Sequence, residues 1–484
     1  MSLRRSFQLN RLYFYTLLIC DILTLLLAIL LAVQLRFGSI NTASAPHSAI
    51  AGTWIILAIA QIMLMMVDNL YVVRTTMNKS MNIFRTIRMI ITISVLFIFV
   101  LFVTHFPTGI FICSRLAVFF IMLLWLAMTT ITRLLIVPLI FPWILRILRF
   151  GKISLVIFGD KAVCGKIRST LLKSPVYRSI LDLKINSESM PDDPDERYAR
   201  CIEVLENGNA SELSMVFDEE NFDFIARFSL LTRRAGIPFS IYSRRFLELG
   251  YYDPWMTIDG YGALTFFSRE YSRISSVLWR LSDILIALAG LLLFLPVIAV
   301  IVPAIAISSR GGVLYKQTRI GYRKKPFSFF KFRSMRISAD DSQSIHKKYF
   351  MKYVNGDAAV KSENGEVFKT VSAKAVTSVG KIIRKTSLDE LPQIRNVLRG
   401  DMSIVGPRPC IDYELDYYTS EWLRQRFTVK PGLTGIWQVY GRSRLGFEKS
   451  QFLDFVYVLS RTDSINIRLI LKTFPVMFFG KGGL

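Results

Sequence analysis

The chain has 484 residues, enough for two or three domains. Hydrophobic residues make up 52% of it and charged residues 20%, and its formal net charge is +24. This composition excludes an ordinary acidic soluble domain and favours a membrane protein with anionic partners. Basic chains also bind nucleic acids, but the long apolar stretches and the lack of a nucleic-acid-binding motif predict no nucleic acid partner.

Four apolar segments lie within residues 1–150, at about 12–33, 53–73, 90–103 with its flanks, and 110–141. Each supplies roughly the 20 residues that a membrane-spanning helix needs. Lys and Arg residues precede the first segment, separate the second from the third and follow the fourth, whereas 38–51 and 105–109 have none. This alternation predicts a four-helix transmembrane bundle, domain 1–150, with both ends in the cytoplasm.

Two acidic residues accompany these segments, Asp21 within the first and Asp68 near the end of the second. An ionisable residue at membrane depth indicates either a function or hydrogen-bonded packing of the bundle, and the sequence leaves both open.

The composition becomes soluble over residues 151–265. Short apolar runs at 153–158, 213–217 and 239–242 predict strands, and helical patterns at 164–172 and 222–235 fall between them. This alternation predicts a parallel, Rossmann-like α/β domain. Its first strand is followed by FGDKAVCGK, which lacks the glycine spacing of a dinucleotide site, so nucleotide binding stays open beside a role in assembly or regulation.

A fifth apolar run occupies 284–307 and is long enough to span a bilayer. Basic residues lie on both sides of it, so both flanks favour the cytoplasm. Pro296 near its midpoint interrupts the helical hydrogen bonds. We expect a re-entrant helix over about 281–308 that bends at Pro296 and returns. A fifth true span is the alternative, and it would put the rest of the chain outside the cell.

The next segment, YKQTRIGYRKKPFSFFKFRSM (315–335), interleaves basic and aromatic residues, which is typical of an element at a lipid headgroup boundary. Further on, KIIRKTSLDELPQIRNVLRGDMSIVGPRP (381–409) places Asp389 and Glu390 side by side at the start of a helical segment. Arg384 precedes the two carboxylates, and Arg408 follows in a rigid turn.

This residue set suits chemistry on phosphates. Aspartate can attack phosphorus to form an aspartyl-phosphate, glutamate is a hard ligand for Mg²⁺, and arginine holds phosphate oxygens through its planar fork. A plainer interpretation also exists, in which Ser-x-Asp-Glu is only a helix N-cap and Arg408 only a turn residue.

The segments TSLDELPQ, NVLRGDMSIVGPRP and KPGLTGIWQVYGRS, in this order, resemble the bacterial sugar transferase family of monotopic polyprenyl-phosphate hexose-1-phosphate transferases. The likeness covers roughly 280 to the C-terminus and implies a mainly α catalytic domain, 266–484. Larger family members similarly place four spans and an α/β domain before it. The sequence departs from the family at Ala375, at Leu295 before the hinge proline, and in a C-terminal region without the usual Trp.

The resemblance implies a UDP-hexose and undecaprenyl phosphate as substrates. Asp389 would attack the sugar-linked phosphate and release UMP, and the lipid phosphate would then take the phosphosugar, which starts exopolysaccharide, O-antigen or capsule assembly. Glu390 would bind Mg²⁺ as cofactor. The implied phosphate-binding residues are Arg384, Arg408, Lys331, Arg333 and Arg442.

We therefore expect an enzyme of the bacterial inner membrane, in contact with membrane lipids, with its catalytic domain on the cytoplasmic face and a homodimeric assembly. The hexose stays open between galactose and glucose. Two other functions are considered: a membrane-anchored nucleotide sensor or scaffold with an inactive transferase domain, and a nucleotide-sugar dehydratase or oxidoreductase. The intact acidic pair disfavours the first, and the missing glycine fingerprint disfavours the second.

Overall fold

A computed structural model of the chain divides it into two compact units. The first comprises Met1–Phe217, Ile237–Arg244 and Asp253–Leu264, and the second comprises Asp218–Gly236, Arg245–Tyr252 and Thr265–Leu484. The structure describes residues 3–37, 79–103, 115–151, 153–159, 161–186, 212–216, 222–234, 239–248, 253–258, 260–266, 273–308, 311–336, 376–441 and 445–479, with a few isolated positions between these ranges. The division into three domains stays a prediction.

Long apolar helices begin the first unit. They are α1 (Leu3–Phe37), α2 (Lys79–Val103), α3 (Arg115–Ile131) and α4 (Val137–Ile147), and a π-helical turn, Thr132–Ile136, joins the last two. Gln8–Ala32 and Phe120–Ile147 are long and apolar enough to cross a membrane, and they overlap the predicted first and fourth spans. The predicted third span falls within α2, and most of the second lies outside the described residues.

A buried ion pair connects α1 to the π-helical turn. Arg133 Nε and Nη2 donate to the two carboxylate oxygens of Asp21 at 3.2 and 2.5 Å, and the Tyr71 hydroxyl donates to the same carboxylate at 2.8 Å. Arg133 Nη1 donates to the Leu70 carbonyl at 2.9 Å. Because these partners satisfy the carboxylate, the contacts favour a packing role for Asp21. Asp68 lies outside the described residues.

One six-stranded sheet follows the bundle, in the order β2-β1-β3-β4-β6-β5. β1 pairs in parallel with β2 and β3, and β3 with β4, whereas β5 and β6 are antiparallel. The strands are β1 Ile153–Phe158, β2 Leu181–Asn186, β3 Glu212–Val216, β4 Phe239–Ser243, β5 Asp253–Ile258 and β6 Tyr261–Phe266. The three strands predicted from apolar runs are confirmed, since β1, β3 and β4 are almost wholly buried, as parallel strands are.

Helices fall between the parallel strands. α5 (Lys161–Leu172) and α6 (Pro175–Ile180) follow β1, and α7 (Phe222–Arg234) follows β3, which confirms both predicted helices. The turn into α5 requires glycine, because Gly159 has φ +131° and a β-carbon there would lie 2.8 Å from Val216 Cβ.

The second unit contains a continuous 36-residue helix, α9 (Arg273–Ser308), preceded by the short helix α8 (Arg245–Glu248). Within α9, Ser276–Ser308 is the third segment of the described residues that could cross a membrane by length and composition. Pro296 is exposed, and the chain is helical on both sides of it. Apolar side chains such as those of Leu292 and Val300 are also exposed, which suits contact with lipid.

The rest of this unit is mainly helical, as expected. The antiparallel hairpin β7 (Leu314–Ile320) and β8 (Pro326–Phe332) turns through Tyr322–Lys324, and β9 (Ser403–Val405) pairs in parallel with β10 (Gly432–Thr434). The α-helices are α10 Ser378–Lys385, α11 Ile394–Arg399, α12 Glu421–Arg424, α13 Ile436–Tyr440, α14 Phe447–Ser460 and α15 Asp463–Phe479. The 3₁₀ turns are Leu388–Gln393, Asp412–Tyr417 and Gln425–Thr428.

Helix α7, although it follows β3 in the chain, packs with α12 and α14 in the second unit. The rings of Phe222 and Phe452 are 4.5 Å apart, and Trp422 Nε1 donates to Asp223 Oδ1 at 2.8 Å. Every residue of α14 from Ser450 to Ser460 is buried. α14 is therefore a core helix of this unit.

Candidate active site

The two adjacent acids lie in the first turn of the 3₁₀ segment Leu388–Gln393, so the predicted start of a helical segment is confirmed. Ser387, the residue before this turn, has the left-handed conformation (φ 56°) and its side chain makes no capping hydrogen bond. The interpretation of Ser-x-Asp-Glu as a simple serine N-cap is therefore not supported. Asp389 is only 8% exposed, and a buried acid needs a compensating partner.

Lys331 supplies that partner from strand β8. Its Nζ donates to Glu390 Oε1 at 2.7 Å and lies 3.6 Å from Asp389 Oδ2. Asn396, at the opposite side of the strand segment, accepts from the Phe330 N–H at 3.4 Å and donates to the Ser328 carbonyl at 2.6 Å. Because Asn396 fixes the backbone next to Lys331, the Lys331 ammonium is held beside Asp389 and Glu390.

The surroundings move the pKa values of the two acids in opposite directions. Burial raises the pKa of Asp389, and the cations Lys331 and Arg384 offset that only in part. Burial also acts on Glu390, but Lys331, Arg408 and Arg319 outweigh it and lower the pKa of Glu390 below its ordinary value. Two neighbouring carboxyls with divergent pKa values suit different roles, one more basic and one firmly ionised.

The predicted basic residues differ in how they relate to this site. Arg384, at the end of α10, and Arg408 each act electrostatically on one of the acids, and Lys331 contacts both. Arg333 follows β8, where its N–H donates to the Val313 carbonyl at 2.9 Å and its guanidinium lies against Gly311. Arg442 lies outside the described residues.

Arg319 was not predicted as a site residue, yet its positive charge helps to lower the pKa of Glu390. It is 6% exposed and stacks on Phe329 at 5.2 Å, and burial lowers the pKa of its guanidinium to about 10. It lies on β7 among exposed and half-buried polar residues, so nothing in its local sequence separates it from a solvent-facing strand cation.

The two carboxylates suit a divalent cation whose remaining ligands come from the substrate and water. Among the described residues, no group of three or more His, Cys, Asp or Glu side chains is arranged to hold a metal ion. Mg²⁺ commonly takes only one or two protein carboxylates and completes its shell with water and phosphate oxygens. Glu390, firmly ionised and about a third exposed, has the chemistry of such a ligand.

Comparison with known proteins places this arrangement in a family. The model of the bacterial sugar transferase family matches residues 274–480. The exopolysaccharide production protein ExoY of Rhizobium meliloti is 36% identical over 178 residues, which are 36% of this chain and 74% of that protein. The chain belongs to the bacterial sugar transferase family.

Two longer family members are also similar. The galactosyl transferase CpsE of Streptococcus agalactiae is 40% identical over 174 residues, 36% of each chain. The undecaprenyl-phosphate galactose phosphotransferase of Salmonella typhimurium is 39% identical over 167 residues, 34% of this chain and 33% of that protein. The chain thus spans only about a third of the length of these two relatives.

Proposed function

We propose that the chain transfers a hexose-1-phosphate from a UDP-hexose to undecaprenyl phosphate. The observation that carries this proposal is the pair Asp389–Glu390, one acid raised and the other lowered in pKa, with Lys331 in contact with both. Names of the relatives support the substrate class, because they include a UDP-galactose-lipid carrier transferase and a UDP-glucose:undecaprenyl-phosphate glucose-1-phosphate transferase.

In the first step, a carboxylate oxygen of Asp389 attacks the phosphorus that bears the sugar. A new O–P bond forms, the P–O bond to the uridine monophosphate breaks, and UMP leaves with that electron pair. The raised pKa makes the Asp389 carboxylate a better nucleophile than an ordinary aspartate, provided it is deprotonated. Lys331, Arg384 and Arg408 offset the charge that accumulates on the phosphate oxygens.

In the second step, an oxygen of the polyprenyl phosphate attacks the same phosphorus. The carboxylate of Asp389 leaves, which regenerates the enzyme and gives a polyprenyl-diphospho-sugar. Arg333 and Arg442 are proposed to bind phosphate together with the three cations above. A single nucleophile thus serves two displacements, and no water is needed in either.

Glu390 is the residue that would hold Mg²⁺ in this scheme. Bound there, the ion would neutralise diphosphate charge as a Lewis acid. Lys331, in contact with both acids, would also offset phosphate charge.

The start of α9 and the segment beyond its end contact the same short stretch, residues 396–398, which supports a re-entrant helix; Pro296 is its proposed bend. Near its start, Arg280 donates to the carbonyls of Val397 and Leu398 at 2.6 and 2.7 Å. Beyond its end, strand β8 is bonded to Asn396, the residue just before Val397. A hydrocarbon core about 30 Å thick would separate these flanks if α9 crossed it.

The proposed setting is a bundle of four spans in the bacterial inner membrane, with the catalytic segment on its cytoplasmic face, where nucleotide sugars are made. A Rossmann-like domain over 151–265, supported by four parallel strands, would link the bundle to the catalytic segment. The product would begin exopolysaccharide, O-antigen or capsule assembly, and the enzyme would be a homodimer.

A direct assay tests the function. Purified full-length protein is incubated with Mg²⁺, undecaprenyl phosphate and a panel of UDP-hexoses, and UMP is measured. We expect release with UDP-galactose or UDP-glucose and none from Asp389→Asn. No release with any UDP-hexose, or undiminished release by Asp389→Asn, would defeat the proposal.

A further inference from the structure

The turn that carries Arg408 is held through its backbone at every residue. The Gly406 N–H donates to Thr434, and the carbonyl of Pro407 accepts from Gly432. The carbonyls of Arg408 and Pro409 accept instead from two buried arginines, Arg426 Nη2 at 2.5 Å and Arg319 Nη1 at 3.2 Å. The Cys410 carbonyl accepts from the Ile320 N–H at 2.8 Å.

Arg426 is the more fully engaged of the two arginines. It is 7% exposed, and its guanidinium donates to the Tyr418 hydroxyl, to Gln451 Oε1 at 2.5 Å and to the Arg408 carbonyl. Its Nη2 also forms an ion pair with Asp454, 3.2 Å from Oδ2. The donors of its fork are thus directed at protein groups. Such a buried guanidinium does not contact a substrate, but it fixes the position of the Arg408 carbonyl to which it donates.

We propose, on the basis of the transferase function above, that Arg426 and Arg319 are positioning residues that hold the main chain of the Arg408 turn so that the Arg408 guanidinium faces substrate phosphate. Pro407 and Pro409 restrict φ on either side of Arg408, but they leave the orientation of the following peptide planes free. The two arginines lock those planes.

The anchor of Arg426 lies on α14. Gln451 and Asp454 are neighbours on that helix, and Asp454 is 1% exposed. Burial raises the pKa of Asp454 to about 7, and Arg426 opposes that rise. Because α14 is a core helix, it offers a rigid support for a turn whose displacement by about 1 Å would cost on the order of 100-fold in rate.

A double-mutant cycle between Arg426 and Arg408 tests the inference. Lysine keeps the charge beside Asp454 but lacks the fork that reaches the Arg408 carbonyl as well. We expect Arg426→Lys to lower kcat/KM for UMP release about 10- to 100-fold in the wild-type background. In the Arg408→Ala background the same change is expected to alter kcat/KM less than about 3-fold, because the group it positions is gone.

Arg424→Lys is the matched control, since Arg424 is exposed two residues away and donates to a different carbonyl, that of Tyr418. It should keep wild-type activity. Thermal unfolding is measured for each variant. If Arg426→Lys does not fold, the pair Arg426→Met with Asp454→Leu replaces it, because removing both buried charges avoids leaving one unpaired. Additive losses in the cycle, or an unaffected Arg426→Lys enzyme, would overturn the inference.

Binding of UDP-galactose and UDP-glucose by isothermal titration calorimetry, with Mg²⁺ present, separates this inference from the proposed function. A protein that binds these nucleotides but releases no UMP would refute the transfer reaction alone. In that case the Arg426–Arg408 double-mutant cycle is measured with the Kd of the nucleotide sugar instead of kcat/KM. The effects of the two substitutions on Kd are again expected to be non-additive. Wild-type protein that binds neither nucleotide would overturn the positioning role together with the function.

Discussion

Asp389 and Glu390 are neighbours in the chain, but they meet different surroundings. Burial dominates at Asp389, whereas the cations Lys331, Arg408 and Arg319 dominate at Glu390. The first acid is thereby more basic than usual and the second more firmly charged. This difference is compatible with the roles that the proposed mechanism gives them, attack on phosphorus for Asp389 and metal binding for Glu390.

Replacing Lys331 by Met tests this electrostatic balance. Lys331 lowers the pKa of both acids, so its loss raises both. In the proposed mechanism Asp389 reacts only when deprotonated, and it becomes protonated as pH falls through its pKa. The acid limb of the kcat/KM profile should therefore move to higher pH, and activity near neutral pH should fall about 100-fold, as for other losses of a charge-stabilising donor.

Lys316→Met is the control for that variant, because Lys316 is an exposed cation on the neighbouring strand, opposite Phe330. Its pH profile should match that of the wild type. An acid limb that does not move in Lys331→Met, or that moves to lower pH, would contradict the account of the dyad.

The sequence motifs pointed to the two candidate acids and to the cations close to them in the chain, but not to the residues that pack around them. Arg384 and Arg408 are within 20 residues of Asp389, in the segment 381–409 whose motifs resemble the family. Arg319, Arg426 and Asn396 reach the site through tertiary packing, and their neighbours in sequence show no periodic pattern that marks them. Their roles depend on backbone carbonyls and N–H groups of other segments, which residue identities do not reveal.

The buried pair Asp21–Arg133 in the bundle gives a second residue-level prediction. Asp21→Asn leaves the Arg133 charge without a counter-ion, and breaking such a pair typically costs about 3–5 kcal/mol. We expect a clear fall in Tm in detergent or nanodiscs, measured by intrinsic fluorescence. Replacing both residues by Leu should restore most of it. Wild-type stability in Asp21→Asn would show that the pair does not hold the bundle.

At the scale of elements, α7 is the feature that the family segment by itself does not contain. It precedes the matched residues 274–480, yet Phe222, which is 3% exposed, packs on Phe452 of α14. Helix α14 in turn carries Gln451 and Asp454, which hold Arg426. The support of the Arg408 turn therefore includes a helix from the preceding region of the chain.

Phe222→Ala should loosen α14. Removing a buried ring of this size costs about 3–5 kcal/mol. Amide hydrogen exchange over 447–460 should accelerate, because local opening becomes easier. Arg227→Ala, at a position of the same helix whose side chain is 62% exposed, should leave exchange unchanged. Equal exchange in Phe222→Ala and wild type would mean that α7 does not stabilise α14.

Apolar runs in the sequence predicted the buried strands, and they missed the strands that form through backbone pairing at the edges of the sheet. β1, β3 and β4 were evident because they are hydrophobic almost throughout. β2 (LDLKIN) was missed because it lies at an edge of the sheet and mixes polar with apolar residues. The antiparallel addition of β5 and β6, and the π-helical turn that carries Arg133, have no period in the sequence that predicts them.

At the scale of the whole molecule, the central issue is which side of the membrane holds each flank of α9. Its length permits a crossing, whereas its basic flanks and its ties to α11 favour a return. A re-entrant helix would keep the acidic pair at the inner leaflet, beside both a cytoplasmic nucleotide sugar and a lipid phosphate.

Cysteine labelling in spheroplasts tests this topology. Single cysteines are introduced at Ser276, Lys325 and Ser44 after the native cysteines are replaced by Ser. An impermeant maleimide should label only the Ser44→Cys protein in intact spheroplasts, and all three after permeabilisation. Labelling of either Ser276→Cys or Lys325→Cys, but not both, in intact spheroplasts would show that α9 crosses.

The most direct measurement is mass spectrometry of the enzyme after incubation with a UDP-hexose and Mg²⁺ without the lipid acceptor. The account predicts a mass increase equal to one hexose phosphate on the peptide that contains Asp389, lost on addition of undecaprenyl phosphate and absent from Asp389→Asn. An adduct on another residue, or full transfer with no covalent intermediate at any time, would contradict it.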